Sequence, residues 1–174
     1  GTSVAQGFRA VIEESNQSSD PSITINGSFN GNTLTGSGGS SSTTSSGFYA
    51  TTNATGGTIT IGTSGTTTFA NNNFNSSSYG LYLLASGTNT AAGSITLNTS
   101  TDGMTGNTVT LSTSSSNGGF YILGKSGSTG ANATIKIPGT SSTALTNNNT
   151  LVGGDGSETL IDSASNYYCT SDDC

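Results

Sequence analysis

The residues able to do chemistry are few, and their spacing argues mostly against it. Asp102, Asp155, Glu158 and Asp162 are the acids away from the ends, and two carboxylates facing each other across a sugar could hydrolyse it. Asp102 sits in a turn-like stretch, and no second acid falls one repeat away from it. The chain has no histidine, so a Ser-His or Cys-His nucleophile system cannot be built. Its cations are Arg9, Lys125 and Lys136. The string Gly153-Gly-Asp-Gly-Ser-Glu-Thr-Leu160 has the look of a calcium-binding nonapeptide, with Glu158 where an aspartate is expected. Such motifs hold ions between successive turns and work in tandem, and this one stands alone. We therefore expect no catalytic residues, no metal site and no cofactor.

Cys169 and Cys174 are the two cysteines. Without histidine or a second pair they make a poor metal site. A short disulfide loop at the C-terminal end is the better reading, and it implies an oxidising compartment. Net charge is -6, which argues against nucleic acid and against an anionic membrane surface. No stretch approaches the length of a membrane span. No signal peptide stands among these residues, so an exported chain has lost it, and the segment is free to belong to something larger. Asn-x-Ser/Thr sequons begin at Asn16, Asn26, Asn53, Asn75, Asn98, Asn132 and Asn148. In a chain so rich in these residues they permit glycosylation without indicating it.

Positioning is the stronger signal. Hydrophobic residues are 29% of 174 and charged residues 7%, too little apolar matter for two thick layers. Four segments repeat: Ser22-Ile-Thr-Ile-Asn26, Thr58-Ile-Thr-Ile-Gly62, Ser94-Ile-Thr-Leu-Asn98 and Thr134-Ile-Lys-Ile-Pro138. Their first isoleucines are 36, 36 and 40 residues apart. A second series is Gly47-Phe-Tyr49, Gly80-Leu-Tyr82 and Gly119-Phe-Tyr121. A third joins Asn32-Thr-Leu-Thr35, Thr67-Thr-Phe-Ala70, Asn107-Thr-Val-Thr-Leu111 and Thr143-Ala-Leu-Thr146. Apolar and hydroxyl residues alternate within them, as in strands with one buried face. Three strands per unit predict a triangular coil stacked in parallel on its copies. One long coil or two short coils per unit both fit. Ile23, Ile25, Ile59, Ile61, Ile95, Leu97, Ile135 and Ile137 should form one inward stack, and Phe48, Tyr82 and Phe120 another wall.

Val4, Phe8, Val11, Ile12 and Ser15 fall near one helical face. This predicts an amphipathic helix over the first twenty residues, capping the open end of the stack. Phe8-Arg-Ala-Val-Ile-Glu-Glu-Ser-Asn16, then Pro21, then Ser22-Ile-Thr-Ile-Asn-Gly27, resembles the start of bacterial right-handed parallel β-helix surface proteins and adhesins of the pectin-lyase-like kind. Phe8, Val11 and Ser22 depart from that pattern. The resemblance implies a cap, coils and an extracellular or cell-surface life. The expected fold is all-β, a right-handed parallel β-helix (a β-solenoid), with the N-terminal helix over 1–20, coils over 21–162 and the disulfide-closed cap over 163–174.

The expected function is a non-catalytic adhesin, passenger or fibre-like scaffold that presents a polar face to glycans or surfaces. Tyr49 and Tyr121 would stack on sugar rings. Ice binding is an alternative, through outward Thr24, Thr60 and Thr96 with their Ser/Thr neighbours. A second alternative is a pilin-like filament subunit trimmed of its membrane helix. Partners would be glycan, a cell surface, ice or further copies of the chain, with no nucleic acid and no membrane insertion by this segment.

Overall fold

Phe8, Ala10 and Ile12 alternate with Arg9 and Val11, and in the computed structural model that alternation is a β-strand, β1 (Phe8–Ile12). The expected N-terminal helix is thereby corrected. The same apolar residues fit a helical face and a two-residue period, and the second period wins because a neighbouring strand is there to pair with. The Phe8 N–H donates to the Gly47 carbonyl at 2.9 Å, and its ring stacks on Phe48 with centroids 4.3 Å apart. The structure describes residues 6–13, 20–36, 45–53, 56–63, 66–76, 79–86, 93–111, 118–125, 133–140, 142–153, 156, 160–162 and 168–169. Val4 and Ser15 of the expected helical face lie outside them.

The first coil continues with β2 (Ser22–Ile25), β3 (Phe29–Asn30) and β4 (Thr33–Gly36). The second contains β5 (Phe48–Thr52), β6 (Thr58–Ile61), β7 (Phe69–Ala70) and β8 (Asn73–Ser76). The third contains β9 (Leu81–Ser86), β10 (Ser94–Leu97), β11 (Met104–Thr105) and β12 (Thr108–Leu111). The fourth has β13 (Phe120–Lys125), β14 (Thr134–Lys136), a short helix α1 (Ser142–Asn147) and β15 (Thr150–Gly153). A fifth turn begins with β16 (Ile161–Asp162) and β17 (Tyr168–Cys169).

These strands form four sheets, ordered β1-β5-β9-β13-β16, β2-β6-β10-β14-β17, β3-β7-β11 and β4-β8-β12-β15. We call them the first to fourth sheets. Every pairing is parallel. The chain is thus predominantly β, and each repeat unit is one long coil that visits four sheets rather than three. The third sequence series had merged two of them. Leu34 is in register with Phe74, which is in register with Val109 and so with Leu151. Phe69 instead pairs with Phe29 and Met104. Thr143–Thr146 lies in α1, not in a strand. Two-residue strands are too short for an alternation signal, which is why the third sheet was hidden.

The isoleucine stack is as expected. Ile23, Ile59, Ile95 and Ile135 occupy one column, and Ile25, Ile61 and Leu97 the next. Ile59, Ile95, Ile135 and Ile137 are fully buried. Burying each large side chain contributes about 1.5–3 kcal/mol, so a narrow column offsets a mostly hydroxylated exterior. The aromatic wall needs one change. Phe48 stacks in register with Leu81 and Phe120, and all three face the core. Tyr82 is one residue out of phase, and in a strand that one step turns it to the opposite face.

The connection from third to fourth sheet is the same in the first three coils. Gly31, Asn71 and Gly106 each take positive φ, at 66°, 55° and 66°. This left-handed turn is open to glycine and tolerated by asparagine. The next residue is an asparagine: Asn32, Asn72 and Asn107. In the fourth coil Asn149 holds the same place after α1. These four form a ladder, buried at Asn72, Asn107 and Asn149 and half-buried at Asn32. The Asn107 side-chain amide donates to Asn149 Oδ1 at 2.8 Å and to the Phe69 carbonyl at 2.9 Å. Asn149 in turn donates to the carbonyls of Met104 and Leu145, which ties α1 to the coil below. Polar groups removed from water in this way are costly unless paired, and here each rung pairs with the next.

Candidate functional site

Period-two alternation sends every second residue of the first sheet outward, and the parallel register stacks those residues into columns. Arg9 begins the first column, Tyr49, Tyr82 and Tyr121 follow, and Asp162 holds its last register position. The tyrosine rings lie flat on one another. Tyr49 and Tyr82 are 5.2 Å apart at 10°, and Tyr82 and Tyr121 are 4.6 Å apart at 6°. Tyr79 leans on the last two from the side, at 5.5 and 5.1 Å. Tyr82 is 6% exposed, while Tyr49 and Tyr121 are half-buried. Such offset aromatic pairs add about 0.5–1.5 kcal/mol each beyond the area they bury. Beside this column runs a second, Val11, Thr51, Leu84 and Leu123.

At the first-coil end of this face is a groove of about 400 Å³. It is lined by Val11, Tyr49, Thr51 and Leu84 together with Asn53, Ser86, Arg9 and Glu13. Arg9 and Glu13 are paired at 3.5 Å, both largely exposed. Thr52 also lines the groove. It is fully buried, and its hydroxyl has no hydrogen-bond partner among the described residues. The lining thus combines an aromatic ring and aliphatic patch with a carboxylate, a guanidinium, a carboxamide and hydroxyls. Such a mixture suits a ligand with apolar C–H faces and many hydroxyls.

Of the residues singled out in the sequence, Tyr49 and Tyr121 share a column with Tyr82 between them. Tyr49 lines the groove; Tyr121 is two rungs along. Arg9, expected in a cap, is instead at the groove. Glu13, Asn53 and Ser86 were not foreseen there. The one clue to the column was the tyrosine found two residues after Gly47, Gly80 and Gly119 alike.

The second sheet carries the expected hydroxyl columns. Ser22, Thr58, Ser94 and Thr134 are in register, and so are Thr24, Thr60, Thr96 and Lys136. Thr24 is exposed, and Thr60 and Thr96 are half-buried. This face is separate from the tyrosine face.

Asp102 is exposed in a turn with φ 51°. Asp155 and Glu158 lie outside the described residues, as do Cys174 and the side chain of Cys169, so the expected disulfide falls there too. Among the described residues no group of three or more His, Cys, Asp or Glu is placed to hold a metal, and no helix is long and apolar enough to cross a membrane. No family model, no curated protein and no solved structure matches the chain.

Proposed function

We propose that the chain is a right-handed, pectin-lyase-like β-helix that works outside the cell as a non-catalytic surface module and binds glycan along the outer face of its first sheet. The observation that carries this reading is the groove, lined by Tyr49, whose ring ends a flat tyrosine column. A pyranose lays its C–H face on such a ring, while Asn53, Glu13, Arg9 and Ser86 take its hydroxyls. Among the described residues, Glu13 is the carboxylate that lines the groove. The test is a glycan array followed by calorimetry on the best hit. Tyr49→Ala and Asn53→Ala should each weaken binding by about tenfold or more with the far-ultraviolet spectrum unchanged. An array without a hit, or a hit indifferent to both substitutions, removes the reading.

A second reading is favoured by the second sheet. Two parallel hydroxyl columns, Ser22-Thr58-Ser94-Thr134 and Thr24-Thr60-Thr96, repeat about every 4.8 Å up the stack. Threonine is stiff about its first side-chain torsion, so such a grid holds water in a fixed pattern and suits an ice surface. Thermal hysteresis that falls on Thr60→Lys and Thr96→Lys supports ice binding. A parent protein with no hysteresis ends it.

A further inference from the structure

We propose that the chain assembles end to end with a second copy of itself, the first coil of one molecule docking on the terminal strands β16 and β17 of the next. This rests on neither binding reading above. Among the described residues the first-coil strand is an edge in each of the four sheets, so β1, β2, β3 and β4 all have a strand partner on one side alone. Their inward side chains are incompletely covered. Phe8, Ile23, Ile25, Phe29 and Leu34 are only partly buried, whereas Phe48, Ile59, Ile61, Phe69 and Phe74, one coil along, are 0–1% exposed. No described helix lies across this end. An apolar core cross-section ringed by open strand edges is a template for another strand.

What fits it is argued from register and charge. At the other end β16 and β17 carry the first and second sheets one strand past β13 and β14. Their outer edges run parallel to β1 and β2, so a copy placed head to tail continues both sheets in the direction they already have. The outward column that begins at Arg9 ends at the register position of Asp162. Head-to-tail stacking therefore brings the register positions of Arg9 and Asp162, residues of opposite charge, next to each other. Two first coils brought face to face would instead run β1 antiparallel to its copy, against the parallel order of every described pairing. Heterologous contact of this kind does not close, so it builds chains rather than a single dimer.

The experiment is sedimentation velocity on the full chain across a wide concentration range at low salt, with electron microscopy of the concentrated protein. The expected result is concentration-dependent growth into linear oligomers that raised salt weakens. Arg9→Glu and Asp162→Lys should each weaken assembly by about tenfold or more, because each puts like charges together. The double exchange Arg9→Glu with Asp162→Lys should restore it, which a mere folding defect would not. Ile23→Lys, on a half-covered edge position, should block growth while the coils stay folded by circular dichroism. A monomer at every concentration overturns the proposal, since the end is then covered within one chain. Assembly unchanged by either reversal, or strengthened by Arg9→Glu, overturns the head-to-tail arrangement.

Discussion

Asn72 Oδ1 accepts two hydrogen bonds from Asn32, one from its backbone N–H and one from its side-chain amide, each at 3.0 Å. Asn107 treats Asn72 in the same way, accepting at 3.0 and 2.9 Å. The backbone and the side chain of each rung are thus satisfied by a single oxygen of the next. Unlike the hydrophobic columns, this contact is directional, and it fixes how far one coil can slide over another.

Asn107→Ala should therefore be among the most damaging polar substitutions. It strips the acceptor from two buried donors of Asn72 and the donor from the Phe69 carbonyl. We expect a loss of about 3 kcal/mol or more, a fall in Tm of roughly 10 °C. Asn32→Ala, at the open end, removes one donor only and should cost about 1 kcal/mol. Thermal melts of the two variants side by side check the contrast.

The isoleucine column makes a graded prediction. Ile59→Ala and Ile95→Ala leave cavities in a fully covered core and should each cost about 2–5 kcal/mol. Ile23→Ala, in the same column but half-covered, should cost less than half of that. Equal losses at all three positions in denaturant titrations would mean that the first coil is not an open end.

The corner before the ladder should discriminate by backbone, not by bulk. A side chain at Gly31 would meet nothing within 4 Å, and its left-handed φ is shared by Asn71 in the next coil. Gly31→Asn should be close to neutral. Gly31→Val should lose about 1–2 kcal/mol, because a β-branched residue resists that conformation. Chemical denaturation of the pair measures this.

Exposed ion pairs are worth little, so Arg9→Ala and Glu13→Gln should each change stability by less than about 1 kcal/mol. The same two substitutions should reduce glycan affinity under the proposed function. Melting and titration on the same samples separate these effects.

How much of this was visible beforehand depends on strand length and on neighbours. The Ile23, Ile59, Ile95 and Ile135 column could be read because four-residue strands alternate long enough to show which face is buried. Phe29-Asn30, Phe69-Ala70 and Met104-Thr105 could not, since two residues carry no period. Their signal was the asparagine that follows each apolar residue by three positions. The segment from Phe8 to Ile12 was misread because its apolar spacing suits two structures, and a parallel partner forty residues away decides between them. Tyr82 was placed on the wrong wall by a single step of phase. The groove was illegible for a related reason: Arg9, Asn53 and Ser86 come together only through the registers of three separate strands.

The asparagine corner has a counterpart at the other end of each fourth-sheet strand. From third to fourth sheet the chain always crosses in two residues in the first three coils, whereas from fourth back to first it uses residues 37–47, 77–80, 112–119 and 154–160. The keyed joint thus keeps one length in those coils, while the fourth-to-first connection varies, as the first-to-second and second-to-third ones do. A foreign peptide inserted at the fourth-to-first connection would ride on the stack without shifting any rung, so the fold works as a rack whose fittings can be exchanged while its spacing is kept.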